Sequence, residues 1–165
     1  MDDLLTILRE GMRRVRQHHA IEHATLHLLA ERFPHRTFAG YSDPLGFLIY
    51  GQVDDYALRR AVGDAMLRLQ AGEAHLAIHA NCGTMLASTA ILTAMAALIG
   101  GAGKQKGLAR LPSILMWILG ALVVSRPLGL RLQRYTTQAD IADRWLVEVR
   151  TLSSGRFPVH RVFFE

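Results

Sequence analysis

The spacing of apolar side chains predicts a mostly helical fold with a few short strands. Apolar residues recur at helical intervals over residues 3–33, and no proline occurs before Pro34, so this segment is predicted to be a long helix. Gly11 is the position at which that helix would divide into two pieces. Residues 37–51 contain two β-rich runs that flank the turn sequence Ser-Asp-Pro-Leu-Gly, which predicts a β-hairpin.

Further elements follow from the same kind of pattern. Asp54 or Asp55 is predicted to cap a helix that ends near Gly72. The expected fold class is therefore α+β, and mostly α. The remaining predicted elements are a short strand at residues 74–79, a helix at residues 137–148 that Thr136 or Thr137 would cap, and a strand at residues 156–165.

Two uncharged segments in the middle of the chain predict a transmembrane hairpin. Residues 81–103 contain 23 residues without a charge, which is enough for a helix to cross a hydrocarbon core of about 30 Å. After a polar connector at residues 104–110, fifteen uncharged residues extend from Leu111 to Ser125, where Arg126 and Pro127 end the run. A chain of 165 residues has little room to bury two such helices in a soluble core.

The hairpin divides the predicted chain into three parts. Residues 1–80 form a cytosolic α+β region, residues 81–130 form the hairpin, and residues 131–165 form a helix and strand that pack on the first region. The expected partner is the lipid bilayer, and the small residues of the first span favour a homo-oligomer. Both flanks of the hairpin are basic, so the positive-inside rule favours cytoplasmic termini only weakly.

Charge and cysteine content narrow the expected partners. The net charge is +5, but the arginines are scattered and no basic run with interleaved aromatics occurs, so we expect no nucleic-acid partner. The acidic start at Asp2 and Asp3 does not fit a cleavable signal peptide. Cys82 is the single cysteine, which excludes an intramolecular disulfide.

The first predicted helix carries a candidate metal motif. His19, Glu22 and His23 form an H-x-x-E-H pattern, which places all three side chains on one helical face. Zinc hydrolases of the inverted type use this pattern, with two histidine ligands and a glutamate as general base. Glu22 is therefore the predicted catalytic residue. His27 continues the stripe as a reserve ligand, and His18 is expected at the surface. The competing interpretation is an ordinary polar helix face.

A second motif lies at the start of the first apolar segment. His79 and Cys82 have the H-x-x-C spacing that is frequent among metal ligands, and His75 is a further candidate. If His19, His23, His79 and Cys82 all bind, the predicted zinc site is closed and structural. If three bind and water takes the fourth position, the site suits hydrolysis of a peptide, ester or amide. A nucleophilic pair of Cys82 and His79 is a third interpretation.

These motifs resemble those of known bacterial families. The chain is similar to uncharacterised bacterial integral membrane proteins with a domain of unknown function, over most of residues 17–150. The segments that carry this resemblance are HAIEHATLHLL, AGYSDPLGFLIYG, LQAGEAHLAIHANCGT and the apolar hairpin. The shorter pattern H-x-x-E-H, then H-x-x-C-G-T and a span, resembles a second uncharacterised family described as predicted metal-dependent enzymes.

The resemblance implies a multi-pass protein of the bacterial cell membrane with a divalent-metal site, most simply zinc. It implies no established reaction. Three hypotheses follow from the sequence: a membrane-associated metal-dependent hydrolase, a non-enzymatic membrane protein with a structural or sensory metal, and a membrane interaction module without metal.

Overall fold

The computed structural model describes residues 2–79, 82–102 and 107–165. The expected class, α+β and mostly α, is confirmed. The helices are α1 (Asp2–Arg32), α2 (Asp55–Gln70), α3 (Gly83–Gly101) and α4 (Leu111–Thr136), and short 3₁₀ helices occupy Ala74–Ala77 and Gly107–Arg110. The strands are β1 (Ala39–Asp43), β2 (Gly46–Tyr50), β3 (Leu146–Ser153) and β4 (Val159–Phe164).

The chain folds into two compact units. The first comprises residues 1–79 and 136–165, and the second comprises residues 80–135. The first unit therefore contains α1, α2 and all four strands, whereas the second contains α3 and α4.

The first unit is built on an antiparallel sheet with strand order β1-β2-β4-β3. Alternate side chains of the central strands are fully buried, as for Phe47 and Ile49 on β2 and Val162 on β4. Helices α1 and α2 contribute the other large part of the same core, including Leu29 and Leu58. The sheet and the two helices thus bury one continuous apolar cluster.

Helix α2 begins as its sequence predicts. Asp54 is the N-cap residue, and its Oδ1 accepts a hydrogen bond of 2.8 Å from the Ala57 N–H. The apolar positions then repeat at helical spacing and are buried at Leu58, Ala61, Val62, Ala65, Met66 and Leu69. The predicted hairpin and the predicted C-terminal strand are also confirmed, and α1 runs through Gly11 without a break.

Two local predictions are wrong. Residues 137–148 do not form a helix, because β3 begins at Leu146 and pairs along its length with β4. Pairing buries Val149 between the strand and the core, and this tertiary gain exceeds a local helical pattern. Residues 74–79 do not form a strand, because the Ala77 and Ile78 carbonyls accept hydrogen bonds from histidine rings of α1.

The second unit consists of two apolar helices in close contact. A Cβ added at Gly100 of α3 would lie 2.8 Å from the Ile114 Cα of α4, so glycine permits the close approach of the two backbones. Helix α4 extends to Thr136, beyond the uncharged run that ends at Ser125. Pro127 removes only one helical hydrogen bond, and the Leu-rich residues on either side of it continue the helix.

Both of these helical segments are long and apolar enough to cross a membrane. They extend over Gly83–Gly101 and Gly107–Thr136, and the second has 30 residues. Large apolar side chains along both helices are exposed. These include Leu86, Ile91, Met95, Leu98, Leu115, Met116, Leu119, Leu122 and Val123.

Candidate metal centre

The C-terminal half of α1 carries polar side chains into the core of the first unit. His23 is 1% exposed and Glu22 is 4% exposed, and Gln17 and His18 are equally well buried. Buried polar groups need internal partners, because each unpaired group costs about 1–3 kcal/mol. The contacts of these side chains therefore identify what the helix is built to hold.

Four imidazole rings converge beside this part of α1. The ring centroids of His19 and His23 are 4.3 Å apart. His79, which follows the 3₁₀ helix, brings its ring to 5.8 Å from that of His23 and to 4.7 Å from that of His27. The three α1 residues are spaced one helical turn apart, so their rings form a row on one face.

The hydrogen bond of His23 fixes its tautomer and its orientation. Its Nδ1 lies 2.7 Å from the Ala77 carbonyl oxygen, and because a carbonyl only accepts, Nδ1 is the protonated nitrogen. The lone pair is then on Nε2. That atom is buried and has no hydrogen-bond partner among the described residues. Histidine ligands of metals are held in this way, with one nitrogen donating to a carbonyl and the other presented to the ion.

Main-chain carbonyls orient two further rings of the cluster. His19 Nδ1 donates to the Thr136 carbonyl at 3.1 Å, and His27 Nε2 donates to the Ile78 carbonyl at 2.9 Å. Burial lowers the pKa of His79 to about 4, and the neighbouring His27 and His23 add to this effect. His79 is therefore neutral at pH 7, and its ring offers a lone pair rather than a positive charge.

The ligand atoms available in this region suit a transition metal. His19 and His23 each offer one imidazole nitrogen, and these two atoms lie within 4.8 Å of each other. Imidazole nitrogens are common ligands of zinc. The orphaned Nε2 of His23 agrees with this fit, because a bound ion would satisfy it.

Glu22 is held against strand β1. Its Oε2 accepts a hydrogen bond of 2.5 Å from the Ser42 hydroxyl. Gly40 packs directly on the same side chain, since a Cβ at that position would lie 2.5 Å from Glu22 Cδ and 2.6 Å from Cγ. Sequence analysis missed Gly40 and Ser42. The only signal for them is the small size of both residues in an otherwise bulky hairpin.

The other histidines near the motif have different environments. His75 is exposed on the 3₁₀ helix. The expectation that His18 lies at the surface is wrong: it is fully buried, its Nδ1 donates to the Asp43 carbonyl at 2.8 Å, and its ring stacks on Phe164. The sheet packs on this flank of α1, and burial lowers the pKa of His18.

A separate polar cluster joins α2 to the C-terminal strands. His160 Nδ1 and the Thr151 hydroxyl both lie within hydrogen-bond distance of Asp55 Oδ1, at 3.0 and 2.6 Å. This cluster borders a cavity of about 460 Å³. The metal-ligating residue types that it brings together are His160 and Asp55.

The fold and the candidate site together define a class of protein. The protein is mostly helical, with two helices that suit a membrane and a cluster of histidine rings that suits a metal ion. Residues 14–149 match the family model described as Domain of unknown function (DUF6391), and the chain belongs to that family.

One curated relative extends the comparison. Over 97 residues the chain is 44% identical to an uncharacterized protein of Picosynechococcus sp. (strain ATCC 27264 / PCC 7002 / PR-6). The alignment covers 53% of this chain and 46% of the relative, so the chain spans about half the length of that protein. No solved structure matches the chain significantly. The expected resemblance to a domain of unknown function is confirmed.

Proposed function

We propose that this protein is an integral membrane protein that binds one divalent metal, zinc in the first instance, and uses it for hydrolysis. His19, His23 and Cys82 are the proposed ligands, and Glu22 is the proposed general base. The observation that supports this most directly is His23, whose buried Nε2 lacks a partner among the described residues while a carbonyl fixes the opposite nitrogen.

The energetics of the cluster support a bound ion. A buried nitrogen without a hydrogen-bond partner costs about 1–3 kcal/mol. The neighbouring imidazole rings among the described residues do not donate a hydrogen bond to His23 Nε2 and so do not offset this cost. His79 remains neutral because burial lowers its pKa to about 4. A cation shared by these lone pairs would offset both costs. Zinc is the natural choice because it prefers nitrogen and sulfur ligands.

An open coordination site is supported by the composition of the ligand group. The proposed ligands are three, His19, His23 and Cys82, and the ligand atoms of His19 and His23 lie within 4.8 Å of each other. Three protein ligands with a fourth open position are typical of catalytic zinc. When bound, zinc would supply Lewis acidity toward a carbonyl group.

The chain itself would supply the proton acceptor. Glu22 lies between His19 and His23 in the sequence, and Ser42 holds its carboxylate by a short hydrogen bond. In the proposed reaction this carboxylate acts as the general base for hydrolysis of a peptide, ester or amide.

A second candidate function is a structural or sensory metal site. It is favoured by the ring of His79, which lies 5.8 Å from that of His23 and would close the site as a fourth ligand. Cys82 follows His79 by three residues, so the chain itself keeps these two side chains near one another. A thiolate ligand also makes zinc less electrophilic.

The bilayer is the proposed environment of α3 and α4. Their large apolar side chains are exposed along most of both helices, and soluble proteins rarely expose apolar patches of that extent. We place the protein in the bacterial cell membrane, with both termini in the cytoplasm. Alkaline carbonate should therefore fail to extract the native chain from membranes. Its release without detergent would contradict the membrane assignment.

Metal analysis of the full chain, purified in detergent, tests the site. We expect about one zinc per chain, lost in His23→Ala and in Cys82→Ser. The matched control is His75→Ala, which changes an exposed histidine outside the cluster and should retain the metal. Native protein that neither contains nor takes up zinc or cobalt would contradict both candidate functions.

Two further variants separate those functions. In an open catalytic site, His79→Ala keeps the metal, and Glu22→Gln keeps the metal but loses hydrolysis of ester and peptide substrates. In a closed site, His79→Ala releases the metal and Glu22→Gln has no catalytic effect. Cobalt substitution gives an independent readout, because the thiolate-to-cobalt absorption band should disappear in Cys82→Ser.

A further inference from the structure

The N-terminal half of α1 is exposed although it is rich in large apolar residues. Leu8 is 54% exposed and Met12 is 67% exposed, and Leu4, Leu5 and Ile7 are similarly open. From Gln17 to Leu29 the same helix is buried on nearly all sides. The first three turns of α1 therefore extend beyond the core of the first unit, and their apolar side chains are uncovered.

These apolar side chains lie on one side of the helix. At about 100° per residue, Leu4, Leu8, Met12 and Val15 form a stripe, and all the large apolar residues of this half fall within about 160° of arc. The opposite arc is polar and has Thr6 near its centre. Arg9 and Arg14 lie close to the two edges of the apolar arc.

The arrangement of charges identifies the surface that this helix fits. Arginines at the edges of an apolar face extend their guanidinium groups toward phosphates while their aliphatic stems remain in an apolar layer. A helix with a strongly charged opposite face lies in a membrane interface and does not span the bilayer. Glu10 is neutralised by Arg13 and Arg14, so the exposed segment from Arg9 onward is net basic.

We infer that residues 3–15 of α1 bind the headgroup region of an anionic bilayer through this apolar arc. The inference rests on the membrane part of the proposed function, which brings a bilayer to the molecule through α3 and α4. It adds a second, separate contact with lipid. The chain's net charge of +5 also favours an anionic surface.

The test uses the full chain reconstituted in phosphatidylcholine vesicles, with and without phosphatidylglycerol. Single cysteines are introduced as Leu8→Cys on the apolar arc and Thr6→Cys on the polar arc, and each is labelled with a polarity-sensitive nitrobenzoxadiazole dye. Leu119→Cys in α4 reports on the hairpin. Unsubstituted protein, labelled in parallel, gives the contribution of buried Cys82.

We expect the dye at residue 8 to emit at shorter wavelength than the dye at residue 6 when phosphatidylglycerol is present. Its quenching by aqueous iodide should be several-fold weaker, and nitroxide-labelled lipids should quench it. The effect should not change with the protein-to-lipid ratio. Leu5→Glu should remove the shielding of residue 8, whereas Thr6→Glu should leave it.

Three results would overturn the inference. If residues 6 and 8 are equally open to iodide while residue 119 is shielded, the hairpin is in the bilayer but α1 is not. If residue 119 is also open, the membrane hairpin fails together with this inference. If residue 8 is shielded in detergent as well, and the shielding declines on dilution, a second copy of the chain covers the apolar arc instead.

Discussion

Replacement of Gly40 by alanine should destabilise the first unit through a clash with Glu22. The added Cβ would lie 2.5 Å from Glu22 Cδ and 2.6 Å from Cγ, against a normal carbon–carbon contact of about 3.5–4.0 Å. Glu22 must therefore move by about 1 Å or more. It has little room to do so, because it is 4% exposed and Ser42 holds its carboxylate.

The magnitude follows from two costs and one gain. Overpacking of a tight site costs about 1–3 kcal/mol, and loss of the hydrogen bond between Ser42 and the carboxylate costs about 1.5–3 kcal/mol. Replacement of glycine in a strand returns about 0.5–1 kcal/mol of unfolded-state entropy. Glu22 either stays in the crowded site or moves away and loses its hydrogen bond, so the two costs do not add fully. We therefore expect the free energy of unfolding to fall by an amount on the order of 2 kcal/mol.

Amide hydrogen exchange of the full chain in detergent measures this effect in the first unit alone. A loss of 2 kcal/mol corresponds to about a 30-fold drop in the protection of α1 and β2. Gly63→Ala is the matched control, because a Cβ at that helical position meets nothing within 4 Å. It should raise protection slightly, since alanine favours a helix by about 1 kcal/mol.

The double variant isolates the cause. Glu22→Ala removes the atoms that the new Cβ would meet, so Gly40→Ala should cost little when added to it. The reasoning fails if Gly40→Ala costs the same with and without Glu22, or if it leaves the protection of the native unit unchanged. Either result would mean that Gly40 does not position the carboxylate.

Three other changes have defined outcomes. Asp54→Ala removes the N-cap of α2 and should lower the stability of the first unit by about 1 kcal/mol, measured by the same exchange. Gly100→Ala should lower the thermal midpoint of the second unit because its Cβ meets backbone, whereas Gly120→Ala, which meets nothing within 4 Å, should not. Asp43→Asn should reduce stability at pH 7 and flatten its loss in acid. The hydrogen bonds from Arg161 lower the pKa of Asp43 below 3.8, so the carboxylate stabilises the fold above that pH and loses its effect as pH falls below it.

The elements predicted from sequence are those whose signals are local. Helix α2 has a capping aspartate and a buried face at helical spacing, and the hairpin has a turn sequence between two β-rich runs. Each of these signals lies within about twenty residues of the chain. Local physics is sufficient for such elements because their hydrogen bonds and apolar contacts involve near neighbours.

The missed elements depend on distant partners. Strand β3 contains Leu146 and Val149 at a spacing that also fits a helix, and pairing with β4 decides between the two structures. The 3₁₀ helix at Ala74–Ala77 lies where histidines of α1 take the Ala77 and Ile78 carbonyls. A single sequence carries no record of such pairing, so neither outcome was accessible from pattern alone.

The residues of the candidate site also divide into those with a local sequence signal and those that depend on distant partners. Regular spacing identified His19, His23 and His79, and the structure brings their rings together. The groups that orient these rings are main-chain carbonyls, which every residue possesses and which therefore leave no mark in a sequence. Gly40 and Ser42 contact Glu22 from β1, a strand that follows the end of α1 in the chain.

Convergence distinguishes this cluster from the other buried histidines. His18 and His160 also have a buried Nε2 without a partner among the described residues, yet neither lies in the row of rings formed by His19, His23, His27 and His79. An isolated orphan costs only its own desolvation, which a stable core tolerates. Burial lowers the pKa of His79 to about 4, and the neighbouring His27 and His23 contribute to this shift, so the rest of the row opposes a proton on His79. A shared cation relieves both costs at once.

Chelation of zinc should therefore destabilise the first unit in the native chain but not in His23→Ala, which has already lost the ion. Equal stability of the native chain with and without chelator would show that no ion holds the cluster.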